Sequence, residues 1–238
     1  MAGHSKWANI KHKKAAQDAK RGKAFTRLTK EITVAAKTGG GDPAGNARLR
    51  QLIEKARDIN MPLDNINRAV KRGTGELPGV HYEAHTYEGY GPHGIAIMVE
   101  TLSDNKNRTV AEMRNLFSKQ GGNIADAGAV SWMFERLGVV RAHGKKMSED
   151  ELLELLIEFD IKNITTHEDT VEVTGEPKCL DAVKNALKNA GFTIGNADLE
   201  WVAKNTTELG EAEEEKAIAF LDAIEEHDDV QNVYTNLA

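Results

Sequence analysis

The chain has 238 residues, 40% hydrophobic and 29% charged, which allows a buried core and argues against global disorder. No apolar run approaches the roughly 20 residues that a membrane-spanning helix needs, and Met1 to Lys14 lacks the apolar stretch of a secretory signal. The single cysteine, Cys179, excludes an internal disulfide or a thiolate zinc cluster within one chain. These features predict a soluble, cytoplasmic protein of several parts.

The net charge of -6 conceals a bipolar chain. Residues 1–75 hold 17 Lys and Arg against 6 Asp and Glu, a balance of +11, and the remainder holds 14 against 31, a balance of -17. An asymmetry of this size points to a polyanionic partner for the basic end. Glycine- and proline-rich turns fall at Thr38–Gly45, Gly73–Gly79 and Gly89–Gly94. The second coincides with the change of charge sign and predicts a domain boundary.

Before that boundary the periodicity is helical. From Lys20 onward, at about 100° per residue, Phe25, Leu28, Ile32 and Ala35 share one face, while Lys20, Lys23, Arg27, Lys30 and Lys37 share the opposite one. A second helix carries Leu49, Leu52, Ile53 and Ala56. A third runs from Pro62 to Arg72, with Pro62 suited to its first turn and Gly73 to its stop.

After the boundary, strands and helices alternate. Ile95–Val99 predicts a buried strand and Asn107–Lys119 a helix. Val130–Phe134, including Trp132, predicts a core strand, separated by Glu135 and Arg136 from another at Leu137–Ala142. Ser148 followed by Glu151 is a capping box. Ile161–Thr166 and Thr170–Val173 read as a hairpin, followed by a helix over Leu180–Ala190 and a strand over Ala197–Ala203. An acidic helix from Glu211 to Glu226 and a strand over Gln231–Thr235 close the series. The order predicts an α+β multidomain fold, in which a helical domain of residues 1–75 precedes two ferredoxin-like α/β domains. One of these comprises residues 80–136 and 206–238, and the other, residues 137–205, is inserted into it.

The basic arm interleaves Lys6, Lys11, His12, Lys13 and Lys14 with Trp7, a pattern that suits tracking a nucleic-acid backbone. Lys20, Lys23, Arg27 and Lys30 continue the charge on the first helix. The third helix adds Arg68, Lys71 and Arg72, with Asn65 and Asn67 able to meet base edges. No clear helix-turn-helix signature is present. Lys106 and Arg108, beside the capping residues Ser103–Asn107, form a secondary candidate for phosphate at a helix N-terminus. His81 and His85 flank Glu83 in an extended context that separates their rings by roughly 13 Å, so no metal site is expected. There is no phosphate loop, no nucleophile elbow and no nucleophile with a base beside it. The acidic runs Glu211–Glu215 and Glu225–Asp229 read as solvated helix faces. The expectation is a protein without cofactor, metal or catalytic residues, with a nucleic-acid partner and no membrane.

The quoted residues also carry a resemblance. The opening Met1–Lys14, the run Ala15–Lys23, Lys71-Arg72-Gly73-Thr74-Gly75, Tyr87–Pro92, Asp104–Thr109 and Phe117–Asn123 closely resemble the YebC family over nearly the whole chain. His93 and Ile124-Ala125 depart from its usual pattern without touching the basic arm. The resemblance implies a helical N-terminal domain followed by two α/β domains. It also implies one of two roles. The first is a cytoplasmic DNA-binding transcriptional regulator, whose acidic domains meet other proteins or a second copy. The second, shared with the mitochondrial translational activators of cytochrome oxidase, is a ribosome-associated factor that contacts ribosomal RNA and relieves stalling at proline-rich stretches.

Overall fold

The computed structural model describes residues 19–167 and 169–238. Among the described residues three helices come first, α1 (Ala19–Gly39), α2 (Ala47–Asp58) and α3 (Leu63–Gly73). Their apolar stripes meet as the periodicity predicts. Ile32, Leu49, Leu52, Ala56, Ile66 and Ala69 are buried together, with Phe25 and Leu28 partly covered beside them. Asn46 fixes the α1–α2 corner. Its side chain accepts the Leu49 N–H at 3.0 Å as an N-cap and donates to the carbonyls of Ala35 and Gly40 at 2.9 and 2.8 Å. These bonds satisfy groups that helix ends leave orphaned.

Gly73 is the last residue of α3, where the sequence predicts the stop, and it has a second role. A Cβ there would lie 2.4 Å from the Thr33 carbonyl oxygen and 2.7 Å from the Ala36 Cβ, so only glycine lets α3 approach α1 this closely. The left-handed conformation that ends the segment falls on Gly75, at φ 83°.

A four-stranded antiparallel sheet follows, built from β1 (Glu83–Tyr90), β2 (Ala96–Ser103), β3 (Asn123–Ala125) and the last strand of the chain. The helix α4 (Lys106–Lys119) joins β2 to β3. A second sheet is formed by β4 (Phe134–His143), β5 (Ile161–His167), β6 (Thr170–Gly175) and β7 (Thr193–Ala203), with helices α5 (Glu149–Leu156) and α6 (Leu180–Asn189). The acidic helix α7 (Glu211–Glu225) and β8 (Val230–Thr235) then complete the first sheet. Among the described residues, 131–206 make one compact unit, and 19–130 with 207–237 make the other.

The second sheet has the order β5-β6-β4-β7, the ferredoxin-like arrangement of a βαββαβ unit. The first has the order β3-β1-β2-β8, with a hairpin pair at its centre, so its strand order departs from the ferredoxin-like one expected of both. The difference comes from β1, which carries Glu83, His85, Thr86 and Glu88 and gives no apolar alternation to read. Tyr87, Ile97, Val99, Met113, Phe117, Phe220, Leu221 and Val233 form the core of this part, with Phe117 and Phe220 edge-to-face at 5.2 Å.

The expected strands at Val130–Phe134 and Leu137–Ala142 are instead a 3-10 turn over Ser131–Met133 and one ten-residue strand, β4. Glu135 and Arg136 lie within that strand, paired with Val202 and Trp201 of β7. Trp132 is therefore no core residue and stands 67% exposed. On β4 the buried Arg141 pairs with Glu172 at 2.6 Å and with Glu200 at 2.6 Å. Burial pushes the Glu172 carboxyl up to about 7 against the pull of that guanidinium. The capping box at Ser148 and Glu151 forms as predicted, with backbone–side-chain bonds of 2.8 and 3.3 Å. Cys179 is a free cysteine in the turn before α6. No described helix is long and apolar enough to cross a membrane.

Candidate nucleic-acid interface

The predicted basic surface divides into three parts with different fates. Lys6, Trp7, Lys11, His12, Lys13 and Lys14 lie outside the described residues, as does the side chain of Lys20. Three other α1 cations are bound internally. Lys23, Arg27 and Lys30 recur at helical spacing and form one stripe, and that stripe meets the carboxyl end of α7. Lys23 donates to the Glu226 carbonyl and Arg27 to the Glu225 carbonyl. Arg27 also faces the Glu225 carboxylate at 3.4 Å. Carbonyls at a helix C-terminus lack internal partners and carry the negative end of the macrodipole, so cations are favoured there. Burial, with Arg27 alongside, holds the Lys23 ammonium below its ordinary value.

Lys30 is 8% exposed. Its ammonium donates to Asp229 Oδ1 at 2.8 Å and to the carbonyls of Asp228 and Leu102 at 2.9 and 3.3 Å, with the Tyr82 ring 5.5 Å away. Asp229 is a hub. It also accepts from Thr109 Oγ1 at 2.7 Å and from Arg108 at 2.9 Å. Burial would raise its carboxyl pKa, but the hydrogen bonds from Lys30, Thr109 and Arg108 prevail and hold it well below the usual carboxylate range. This corrects two expectations. Lys23, Arg27 and Lys30 are structural cations, and the run Glu225–Asp229 is no solvated face. The signal that points to this is the complementarity of a basic helix face and an acidic run far apart in sequence.

Arg108 is likewise corrected as a phosphate ligand. Besides Asp229, its guanidinium meets Asp104 at 2.9 Å and Glu112 at 3.8 Å. Asn105 caps α4 by accepting the Arg108 N–H at 3.1 Å, so this helix N-terminus is closed by its own residues. Lys106 remains exposed. His81 lies 3.2 Å from the Lys37 ammonium, and His85 lies 3.6 Å from Glu83. Glu112, His227 and Asp229 have ligand atoms within 4.8 Å of one another. The cation there is the protein's own, because Asp229 already holds Lys30 and Arg108, and His227 Nε2 faces Glu112 at 3.0 Å.

The third part lies on α3. Ile66 and Ala69 face the core, which turns Asn65, Asn67, Arg68, Lys71 and Arg72 outward, all exposed. Arg68, Lys71 and Arg72 have no ion pair among the described residues, and their i, i+3, i+4 spacing makes one cationic ridge. The helix is also the second of a pair joined by only four residues, Ile59–Pro62, in which Asn60 takes the left-handed conformation at φ 60°. Such a short turn, with one residue in the conformation glycine prefers, is typical of helix-turn-helix units. The glycine common in such turns is replaced here by Asn60.

The comparisons with known proteins agree with this architecture. Residues 5–76 match the TACO1/YebC protein N-terminal domain, and residues 82–237 match the TACO1/YebC second and third domain. A probable transcriptional regulatory protein of Chlorobaculum tepidum is 51% identical across the whole chain and 95% of its own length. One of Nitrosococcus oceani is 52% identical over 99% of this chain and 95% of its own. A crystal structure of a conserved hypothetical protein from Aquifex aeolicus superposes with a TM-score of 0.88 at 45% identity, covering 98% of this chain and 97% of its own. The helical start, the two four-stranded sheets and these matches together show that the chain belongs to the TACO1/YebC family.

Proposed function

We propose that this protein is a cytoplasmic, DNA-binding regulator of gene expression that grips duplex phosphates through α3 and the basic arm. The observation that carries the reading is the exposed ridge of Arg68, Lys71 and Arg72 on the second helix of a tightly turned pair. In such pairs the second helix enters the major groove with its first residues nearest the bases, and here those residues include Asn65 and Asn67. Lys and Arg at its far end suit phosphates, which fix register without reading sequence. The relatives' names, as probable transcriptional regulatory proteins, support the same role.

Ultraviolet crosslinking in growing cells, followed by sequencing of the nucleic acid attached to the purified protein, tests the reading. The expected result is enrichment of discrete promoter DNA. Enrichment of a few ribosomal RNA positions would replace it with the ribosome-associated translation role that the family resemblance also implies.

A further inference from the structure

The cationic ridge of α3 has an acid in its midst. Ile66 and Ala69 are the buried residues of this helix. At about 100° per residue the direction away from them runs along Asp64, Asn67, Arg68 and Lys71, an i, i+3, i+4, i+7 row on one face. All four side chains are exposed. Asp64 lies in the first turn and Lys71 in the last. Asp64 and Arg68 stand four apart, a spacing at which opposite charges on a helix pair. They form no such pair, and among the described residues neither the Asp64 carboxylate nor the Asn67 amide is engaged by a hydrogen bond or an ion pair. Both are left facing outward with unused hydrogen-bonding capacity.

A carboxylate on a face that meets DNA is a cost unless the duplex donates to it. Phosphates repel it, and it subtracts from the attraction that Arg68, Lys71 and Arg72 supply. Guanine N7 and O6 and thymine O4 are acceptors, which leaves the exocyclic amines of cytosine and adenine as the donors of the major groove. An aspartate carboxylate only accepts. Cytosine offers it a bare N4 amine, whereas the adenine amine sits beside the N7 acceptor and suits an amide, which can donate and accept together. We infer that Asp64 selects cytosine through its N4 amine, while Asn67 takes adenine on a nearby pair. Residues three apart rise about 4.5 Å along a helix, against about 3.4 Å per base-pair step. The two pairs are therefore adjacent or separated by one step. At any other base the carboxylate faces acceptors, so it also turns wrong duplexes away. The inference rests on the DNA-binding reading above and names the class of sequence that the same site takes.

The test selects duplexes from a randomised library with the full chain, then compares the selected duplex with an unselected one. Enrichment of a C·G pair and an A·T pair at adjacent or alternate positions is expected. Asp64→Ala should weaken the selected duplex about 5- to 150-fold, the range of one lost base contact. It should bind the unselected duplex at least as tightly as the native chain does, because a repelled charge has gone. Asp64→Asn should move the preference at the C·G position to A·T. A carboxylate that merely steadies the first turn of α3 would weaken both duplexes alike and leave the base preference in place, and that result overturns the inference. So does a selection that enriches no C·G position. If in either case Arg68→Ala/Lys71→Ala/Arg72→Ala still abolishes duplex binding, the DNA-binding reading stands without it. If no duplex binds the native chain, the DNA-binding reading falls and takes the role of Asp64 with it.

Discussion

Helices α1 and α3 carry similar positive charge in the sequence, and the fold uses it in opposite ways. On α1 the stripe of Lys23, Arg27 and Lys30 ends on the carbonyls and carboxylates around Glu225–Asp229. On α3 the ridge of Arg68, Lys71 and Arg72 meets no carboxylate among the described residues and faces solvent. Charge content alone therefore does not locate a polyanion site. A cation can serve one only when the fold has given it no acid of its own.

The sharpest way to break the contrast is to remove the acid. Asp229→Ala leaves the Lys30 ammonium buried without its counter-charge, and stripping one partner from such a pair costs about 3–5 kcal/mol. Denaturant unfolding followed on the helical segment should show that loss. Next comes the ridge. Replacing Arg68, Lys71 and Arg72 together with Ala should flatten the dependence of log K on log salt for duplex DNA by roughly 2 to 3 units, at about 0.9 per phosphate contact. Lys23→Ala with Arg27→Ala should leave that slope unchanged. An equal loss of slope in both variants would erase the distinction between the helices.

A smaller effect is expected where the two helices touch. Gly73→Ala drives a methyl group into the Thr33 carbonyl, and the forced separation should cost about 1–3 kcal/mol, read as a lowered unfolding midpoint. The mildest test uses acid. Asp229 titrates below its ordinary 3.8 in the fold, so its contribution is complete above that pH and is lost as the pH falls from there through its lower value in the fold. Stability of the native chain should decline below about pH 4, and the Asp229→Asn variant should lack that part of the decline.

Much of the fold is legible in the sequence because it is local. The three helical stripes, the Ser148 capping box, the β5–β6 hairpin and the acidic α7 all follow from periodicity and caps within a few residues. What escapes is set by pairing at a distance. β1 is a polar strand recognisable only by its neighbours β2 and β3. The apolar run around Trp132 reads as core until the 3-10 turn places the ring outside. For the site, the cations are visible in the sequence and their fates are not. Lys30 and Lys71 look alike until one learns that Asp229 lies beside the first.

The lock between Lys30 and Asp229 also has a schedule. Its halves are 199 residues apart, and the acid lies near the end of the chain. At about 5–20 residues per second of synthesis, roughly 10 to 40 seconds separate the appearance of the two. Throughout that interval the first helix exists without the carboxylate that neutralises Lys30, and its stripe of Lys23, Arg27 and Lys30 is available to any polyanion within reach of the growing chain. Neutralisation of this stripe is thus a late event in the life of each molecule, completed only when translation has delivered the C-terminal strand.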